Sequence, residues 1–228
     1  MIFEHNQLKS YNSSNSSKVV AQAEYQTLAL YAVTLIFEGK MAQAATLNDA
    51  QIKRALRFCQ SRKYTTRDCT ILMFSIYTGL RAKELAALRV SDVYDADGAV
   101  RQQFTLSAAQ TKGSRTRTVF VNTALRTQLE HYARWRGKCD SAAPLFRSQK
   151  GKHFSANTMC QLFLNIYKAC GLSDASSHSG RRTFITRLAN KGVGVRVLAA
   201  LAGHSSIATT QRYIDVNDAQ LANAVELL

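Results

Sequence analysis

The sequence is short of acidic residues, proline and paired cysteines, and it has no long apolar run. Only 15 Asp and Glu stand against 30 Lys and Arg, a formal net charge of +15. So large an imbalance points to a polyanionic partner, nucleic acid first among them. The five cysteines, at 59, 69, 139, 160 and 170, are odd in number and form no CxxC pair. That argues against a disulfide framework or a zinc site, and for a reducing compartment. The most apolar stretch, LALYAVTLIF at 28–37, is too short to span a bilayer and has Glu24 and Glu38 beside it. No stretch reads as a secretory signal. The expected setting is the cytoplasm, on the nucleoid, with no membrane partner. There is one proline, Pro144, and no internal repeat.

What is present is enough apolar residue, 46%, to fold, on a chain of 228 residues. That length allows one sizeable core, or one core with an appendage. Residues 1–18 carry NSSNSSK and read as a flexible polar arm. Residues 19–44 read as an N-terminal helix ending near Gly39, too broadly apolar to stand alone. From 45 the pattern changes. TLNDAQIKRALRFC offers Thr46 or Asn48 as a cap, then Ile52, Leu56 and Phe58 at helical spacing. RDCTILMFSIYTGL predicts a buried helix broken at Gly79, and RAKELAALRV a second short one. Segments 99–107 and 115–122 alternate like strands, and helices resume from 123 to the end. The expected fold class is mainly α with a small antiparallel β-sheet (α+β).

Six residues stand out for their chemistry. Arg81 opens a predicted helix, where backbone N–H groups favour an anion. Lys112 lies in a TKG turn between the two strands. His178 and Arg181 are three apart, on one helical face. His204 follows Gly203 at a helix end, and Tyr213 follows in TTQRYID. Taken singly, each has an ordinary structural explanation. Together they are what attack on a phosphodiester without a metal requires. Guanidinium forks match the charge building on the non-bridging oxygens. A tyrosine, with a pKa of about 10, needs a base and cations to act as a nucleophile. The leaving oxygen needs a proton, which a lysine or histidine supplies.

The stretch TGLRAKELAALRVSDV at 78–93 resembles the first catalytic box of the tyrosine recombinases, the phage integrase family. TKGSRTRTVFV at 111–121 resembles their catalytic hairpin. HSGRRTFITRLANKGVGVRVLAALAGHSSIATTQRYIDV at 178–216 resembles their second box. The resemblance covers roughly 45–216. It implies the catalytic-domain fold of that family over 45–228, with a C-terminal tail at 217–228. It implies that Tyr213 attacks phosphorus to form a 3′-phosphotyrosyl link. Arg81 and Arg181 then hold the non-bridging oxygens, and His204 adds a hydrogen bond there. His178 accepts the tyrosine proton, Lys112 is the general acid, and Glu84 supports the site from behind. It implies no metal and no other cofactor. One departure is Gly180, where the family usually has an aliphatic residue. The glycine is expected to loosen the packing and make this loop more mobile.

Double-stranded DNA is the partner the resemblance implies, with Arg115, Arg117, Arg182 and Arg187 as candidate phosphate contacts. The family also implies a homotetramer on synapsed DNA. The free protein would be a monomer or weak oligomer, with a possible accessory DNA-bending or directionality protein. About 45 residues precede the boxes, too few for the family's separate core-binding domain. The chain therefore resembles the compact recombinases of fimbrial phase switches. Two other functions stay open on sequence. One is a nicking and rejoining enzyme like the type IB topoisomerases. The other is a recombinase-derived DNA-binding regulator without catalysis.

Overall fold

The structure, a computed structural model, describes residues 44–111, 115–214, 221–222 and 225–226. They belong to one compact unit, Ala44–Leu228. The expected arm at 1–18, the expected helix at 19–44 apart from Ala44, Lys112, and most of the tail lie outside the described residues.

The chain enters through a helix, α1 (Asp49–Gln60), capped by Asn48. The Asn48 side chain accepts from Gln51 N–H (2.9 Å), and the Gln51 side chain accepts from Asn48 N–H (2.9 Å). This reciprocal box settles the cap between Thr46 and Asn48. The next helix, α2 (Thr65–Thr78), is buried on nearly every face, from Thr66 to Thr78. A helix buried all round must sit at the centre of a fold. It packs against α5 (Thr123–Arg136), α7 (Ser179–Asn190) and α1. Phe74 meets Phe104 and Phe146 edge-on, with centroids 6.4 and 6.0 Å away. Burial of each such side chain contributes about 1.5–3 kcal/mol, so this contact anchors the core.

The segment RAKELAALRV is not one helix. It forms α3 (Ala82–Ala87), an extended Leu88, and a further turn, α4 (Val90–Val93). The break has a cause across the chain. Leu145 N–H donates to Leu88 O (2.8 Å) and Val90 N–H donates to Ala143 O (3.0 Å). Those two bonds hold Leu88 and Arg89 extended against Pro144.

Strands β1 (Gln103–Leu106) and β2 (Arg117–Phe120) pair antiparallel, from Gln103 opposite Phe120 to Leu106 opposite Arg117. Burial alternates along β2: Arg117 and Val119 point inward, Thr118 and Phe120 outward. The helices α6 (Ala156–Ala169), α8 (Val195–Ala202) and α9 (Ile207–Gln211) complete the order. The described residues are thus mainly helical with a two-stranded antiparallel sheet, as the sequence predicts. None of their helices is long and apolar enough to cross a membrane.

Helices α2 and α8 both end in a left-handed glycine, Gly79 (φ 62°) and Gly203 (φ 65°). Such ends turn the last carbonyls of a helix outward in search of donors. A Cβ at Gly203 would also lie 2.6 Å from Arg117 Cδ, so this glycine lets the arginine pass. Gly180 overturns its expectation. It is buried in the first turn of α7, and a Cβ there would stand 2.1 Å from Ser75 Oγ. The glycine does not loosen the packing: it allows α7 to approach α2 closely.

Candidate active site

The carbonyls at the ends of α2 and α8 are met by two buried arginines in parallel. Arg117 Nη2 donates to Thr78 O (2.9 Å) and to Leu201 O (2.5 Å). Arg181, one residue further along both helices, donates from Nη1 to Gly79 O (2.8 Å) and from Nη2 to Ala202 O (2.6 Å). The negative end of each helix dipole therefore faces a guanidinium. This is why two cations tolerate burial next to each other.

A third arginine and one carboxylate complete the cluster. Glu84 is fully buried and takes three donors: Arg81 N–H (2.9 Å), Arg81 Nη1 (2.8 Å) and Arg117 Nη1 (3.1 Å). Arg81 is the residue before α3, so its main chain and side chain grip the same carboxylate. Among the described residues, three guanidinium groups against one carboxylate leave positive charge in excess. Burial pushes the pKa of Arg181 down to about 9, helped by Arg81 and Arg117. Burial pushes Arg117 down to about 10, and Glu84 opposes that shift. Both remain cations at neutral pH. The Arg81 side chain is 24% exposed, that of Arg117 only 5%. Arg81 is therefore the arginine presented outward.

Arg81, Glu84 and Arg117 form one wall of a cavity of about 590 Å³, and Arg115 and His204 line it too. His204 is the first residue past the α8 cap, which sets it beside the arginines. Its Nδ1 is 2.8 Å from Thr210 Oγ1. Burial pushes its pKa down to about 4, with Arg181, Arg81 and Arg117 adding to the shift. The imidazole is neutral at physiological pH and therefore a hydrogen-bonding group rather than a cation.

Tyr213 stacks on this imidazole, ring centroids 5.7 Å apart at 22°. The Arg182 guanidinium lies 5.5 Å from the tyrosine ring. The main chain of Tyr213 is tied twice, by its N–H to Thr210 O (2.9 Å) and by Thr186 Oγ1 to its O (3.2 Å). Arg181 also feels the Tyr213 side chain electrostatically. Tyr213 thus belongs to the arginine cluster, although 132 positions separate it from Arg81. His178 stands exposed just before α7, three residues ahead of Arg181, and its Nδ1 is 3.4 Å from Ser177 Oγ.

The structure sorts the expected DNA-facing arginines. Arg115 is exposed at the cavity. Arg182 is half-buried, with Nε donating to Thr46 Oγ1 (3.2 Å). Arg187 is paired with Asp49 in a different groove, lined by Leu47, Tyr77, Phe184 and Leu188. Arg117 requires a correction. Its Nη groups donate to Glu84, Thr78 and Leu201 inside the protein, so it is buried and braces the cluster from the cavity wall, rather than standing on the surface as an exposed phosphate contact. Alternation along β2 carries the signal, since Arg117 shares a face with Val119 and Val121. Nothing in the sequence marks Thr210, yet its hydroxyl holds the imidazole. Among the described residues, no three His, Cys, Asp or Glu side chains gather as metal ligands would.

The sequence model of the phage integrase family matches residues 45–220. The tyrosine recombinase XerC of Pelobacter propionicus is 28% identical over 159 residues, covering 69% of this chain and 50% of the relative. XerA of Pyrococcus furiosus is 27% identical over 184 residues, 79% of this chain and 60% of the relative. A tyrosine recombinase of Pseudothermotoga lettingae is 32% identical over 180 residues, 78% and 59% respectively. The chain thus spans between half and three-fifths of the length of these relatives. Among solved structures, that of XerA recombinase superposes with a TM-score of 0.64 at 27% identity, covering 80% of this chain and 64% of that one. The catalytic domain of bacteriophage HP1 integrase gives 0.58 at 23% identity, covering 81% and 95%. The Tn1549 transposon integrase in complex with a circular intermediate DNA gives 0.66 at 22%, covering 83% and 67%. At those last two identities the likeness is one of fold.

Proposed function

Because this chain belongs to the phage integrase family, we propose that it is a site-specific DNA recombinase that breaks and rejoins strands through a 3′-phosphotyrosyl intermediate. One observation carries the reading. Among the described residues, a cluster of three guanidinium groups, overcharged relative to its single carboxylate, borders a cavity beside a tyrosine stacked on a neutral histidine.

The chemistry runs as one exchange of ester bonds. The Tyr213 phenol oxygen forms a bond to phosphorus, and the bond from phosphorus to the 5′-oxygen breaks. His178 takes the phenol proton, and Lys112 delivers one to the departing oxygen. Arg81 and Arg181 neutralise the non-bridging oxygens. Although both Arg181 Nη atoms are engaged, each carries a second N–H. Glu84 fixes Arg81 through two bonds, so that it is oriented before the phosphate arrives. His204 donates one further hydrogen bond. Reversal by a different 5′-hydroxyl rejoins the strands, and the bond energy is held in the phosphotyrosine throughout.

The working form in this reading is a homotetramer on two synapsed duplexes, passing through a Holliday junction. Leu221 and Val225 in the tail are exposed, 57% and 67%. They are apolar positions suited to docking on a neighbouring protomer, which would couple assembly to the placement of Tyr213.

The test is recovery of the DNA held covalently by the protein in cells that express it, followed by sequencing. The expected result is one recurrent junction with wild type and none with Tyr213→Phe. Adducts in the Phe variant would remove Tyr213 from the reaction. Adducts at arbitrary sequences, with relaxation of any supercoiled plasmid, would indicate nicking and rejoining without site specificity.

A further inference from the structure

The hydroxyl of Thr210 is turned away from its own helix. Thr70, Thr78 and Thr183 each donate to the carbonyl four residues back, at 2.6, 2.6 and 2.7 Å. That back-bond is the ordinary use of a threonine hydroxyl inside a helix. Thr210, in α9, turns instead to His204 Nδ1 at 2.8 Å. It is fully buried, so its single hydroxyl proton must be given to an acceptor inside the protein. An imidazole nitrogen without a proton is such an acceptor. Which nitrogen of a histidine carries the proton is set by the bond that the other nitrogen makes.

We propose that Thr210 is a positioning residue, which fixes His204 in the Nε2–H tautomer and so makes it a hydrogen-bond donor toward the cavity. Three further facts agree. His204 lines the cavity that Arg81 and Arg117 border. Burial and the arginines keep the ring neutral, so it carries one N–H and the choice of nitrogen matters. In the other tautomer a lone pair, not a proton, would face the anion. The Thr210 carbonyl also accepts from Tyr213 N–H at 2.9 Å. One residue therefore orients two members of the site, the histidine through its hydroxyl and the tyrosine through its backbone.

The inference about catalysis rests on the reading of Tyr213 as nucleophile; the inference about the tautomer does not. The experiment separates them. Long-range 15N–1H spectra of the labelled protein at neutral pH, with His204→Gln for assignment, report which nitrogen is protonated. The wild type and Thr210→Ser should show the proton on Nε2. Thr210→Val, which keeps the shape and loses the hydroxyl, should shift the population toward Nδ1–H. A proton on Nδ1 in wild type, or a Val spectrum like that of wild type, overturns the proposal. Should the Val variant not fold, the wild-type and Ser spectra still decide it. On DNA recovered from the Tyr213 adduct, Thr210→Val should slow covalent attachment by roughly tenfold, the lower end of what losing the partner of a metal-bound histidine costs, and Ser should restore it. A Val variant as fast as wild type removes Thr210 from the reaction. Absence of any wild-type adduct would defeat the recombinase reading and leave the spectra to judge the tautomer.

Discussion

Arg117 and Glu84 form a buried ion pair at 3.1 Å, and among the described residues Glu84 is the sole carboxylate beside the three guanidinium groups of the cluster. Its charge makes the cluster tolerable to the fold. Glu84→Gln keeps the shape and removes that charge. It should lower stability by about 3 kcal/mol, the scale for uncovering a buried charge, as measured by urea unfolding in chloride. Sulfate should restore part of the loss, because a tetrahedral dianion can replace the missing negative charge at the cavity. A variant as stable as wild type in chloride would mean that the arginines repel one another far less than their placement implies.

Arg115 and Arg117 are two residues apart, yet the structure gives them opposite surroundings. Arg115→Ala should weaken binding to non-specific duplex DNA and reduce the slope of log affinity against log salt by about 1, one phosphate contact. The measurement is a fluorescence titration over a range of salt. An unchanged slope would take Arg115 off the DNA.

Much of this fold can be read from the chain. The buried α2, its stop at Gly79 and the alternating strands follow from periodicity and from the punctuation of glycine. The order of Arg81, His178, Arg181, His204 and Tyr213 is carried instead by the resemblance to the family's motifs. What sequence does not reveal is which cations are functional and which structural. Arg117 reads as one more basic residue in a basic strand until Val119 and Val121 are seen on its side of the sheet. Its partners, the carbonyls of Thr78 and Leu201, lie 39 and 84 positions away, and backbone oxygens leave no mark in a sequence. The break at Leu88 likewise depends on a bond to Leu145, which helical propensity cannot supply. In sequence Thr210 is one of two adjacent threonines, and only the fold distinguishes them.

His204 predicts a pH dependence. Its folded pKa is about 4, against the ordinary 6.5. Between those values the unfolded chain takes up a proton that the folded protein refuses. The stabilising contribution of neutral His204 is thus complete above about pH 6.5 and shrinks as pH falls toward 4, below which it stays constant. Urea unfolding of wild type and His204→Gln across this range should give a difference that changes in that window alone. A difference independent of pH would mean that His204 titrates normally in the folded state.

The contact of Gly180 with Ser75 gives a prediction of paired sign. A Cβ on Gly180 would lie 2.1 Å from Ser75 Oγ and 2.7 Å from Ser75 Cβ, too close for either to remain in place. Gly180→Ala should therefore destabilise by about 1–3 kcal/mol, although alanine is the better helix former. Ser75 is itself an awkward occupant. Its hydroxyl is buried and has no hydrogen-bond partner among the described residues. Ser75→Ala removes that unsatisfied group and should be neutral or stabilising by up to about 1 kcal/mol. It cannot fully rescue Gly180→Ala, because the Ser75 Cβ clash remains. Ser75→Gly removes both side-chain contacts and should recover most of the loss, with the Ser75 backbone carbon still 3.0 Å from the new Cβ, at a cost of about 1 kcal/mol for glycine within a helix. The double-mutant cycle should then show a coupling opposite in sign to the single losses. Arg181 follows Gly180 directly, so a forced separation of α7 from α2 also pulls its guanidinium from Gly79 O, now 2.8 Å away. Gly180→Ala should accordingly lose covalent attachment to DNA in excess of its loss of stability, and Ser75→Gly should restore much of both. Additive single effects would show that the two helices are not held together at this point.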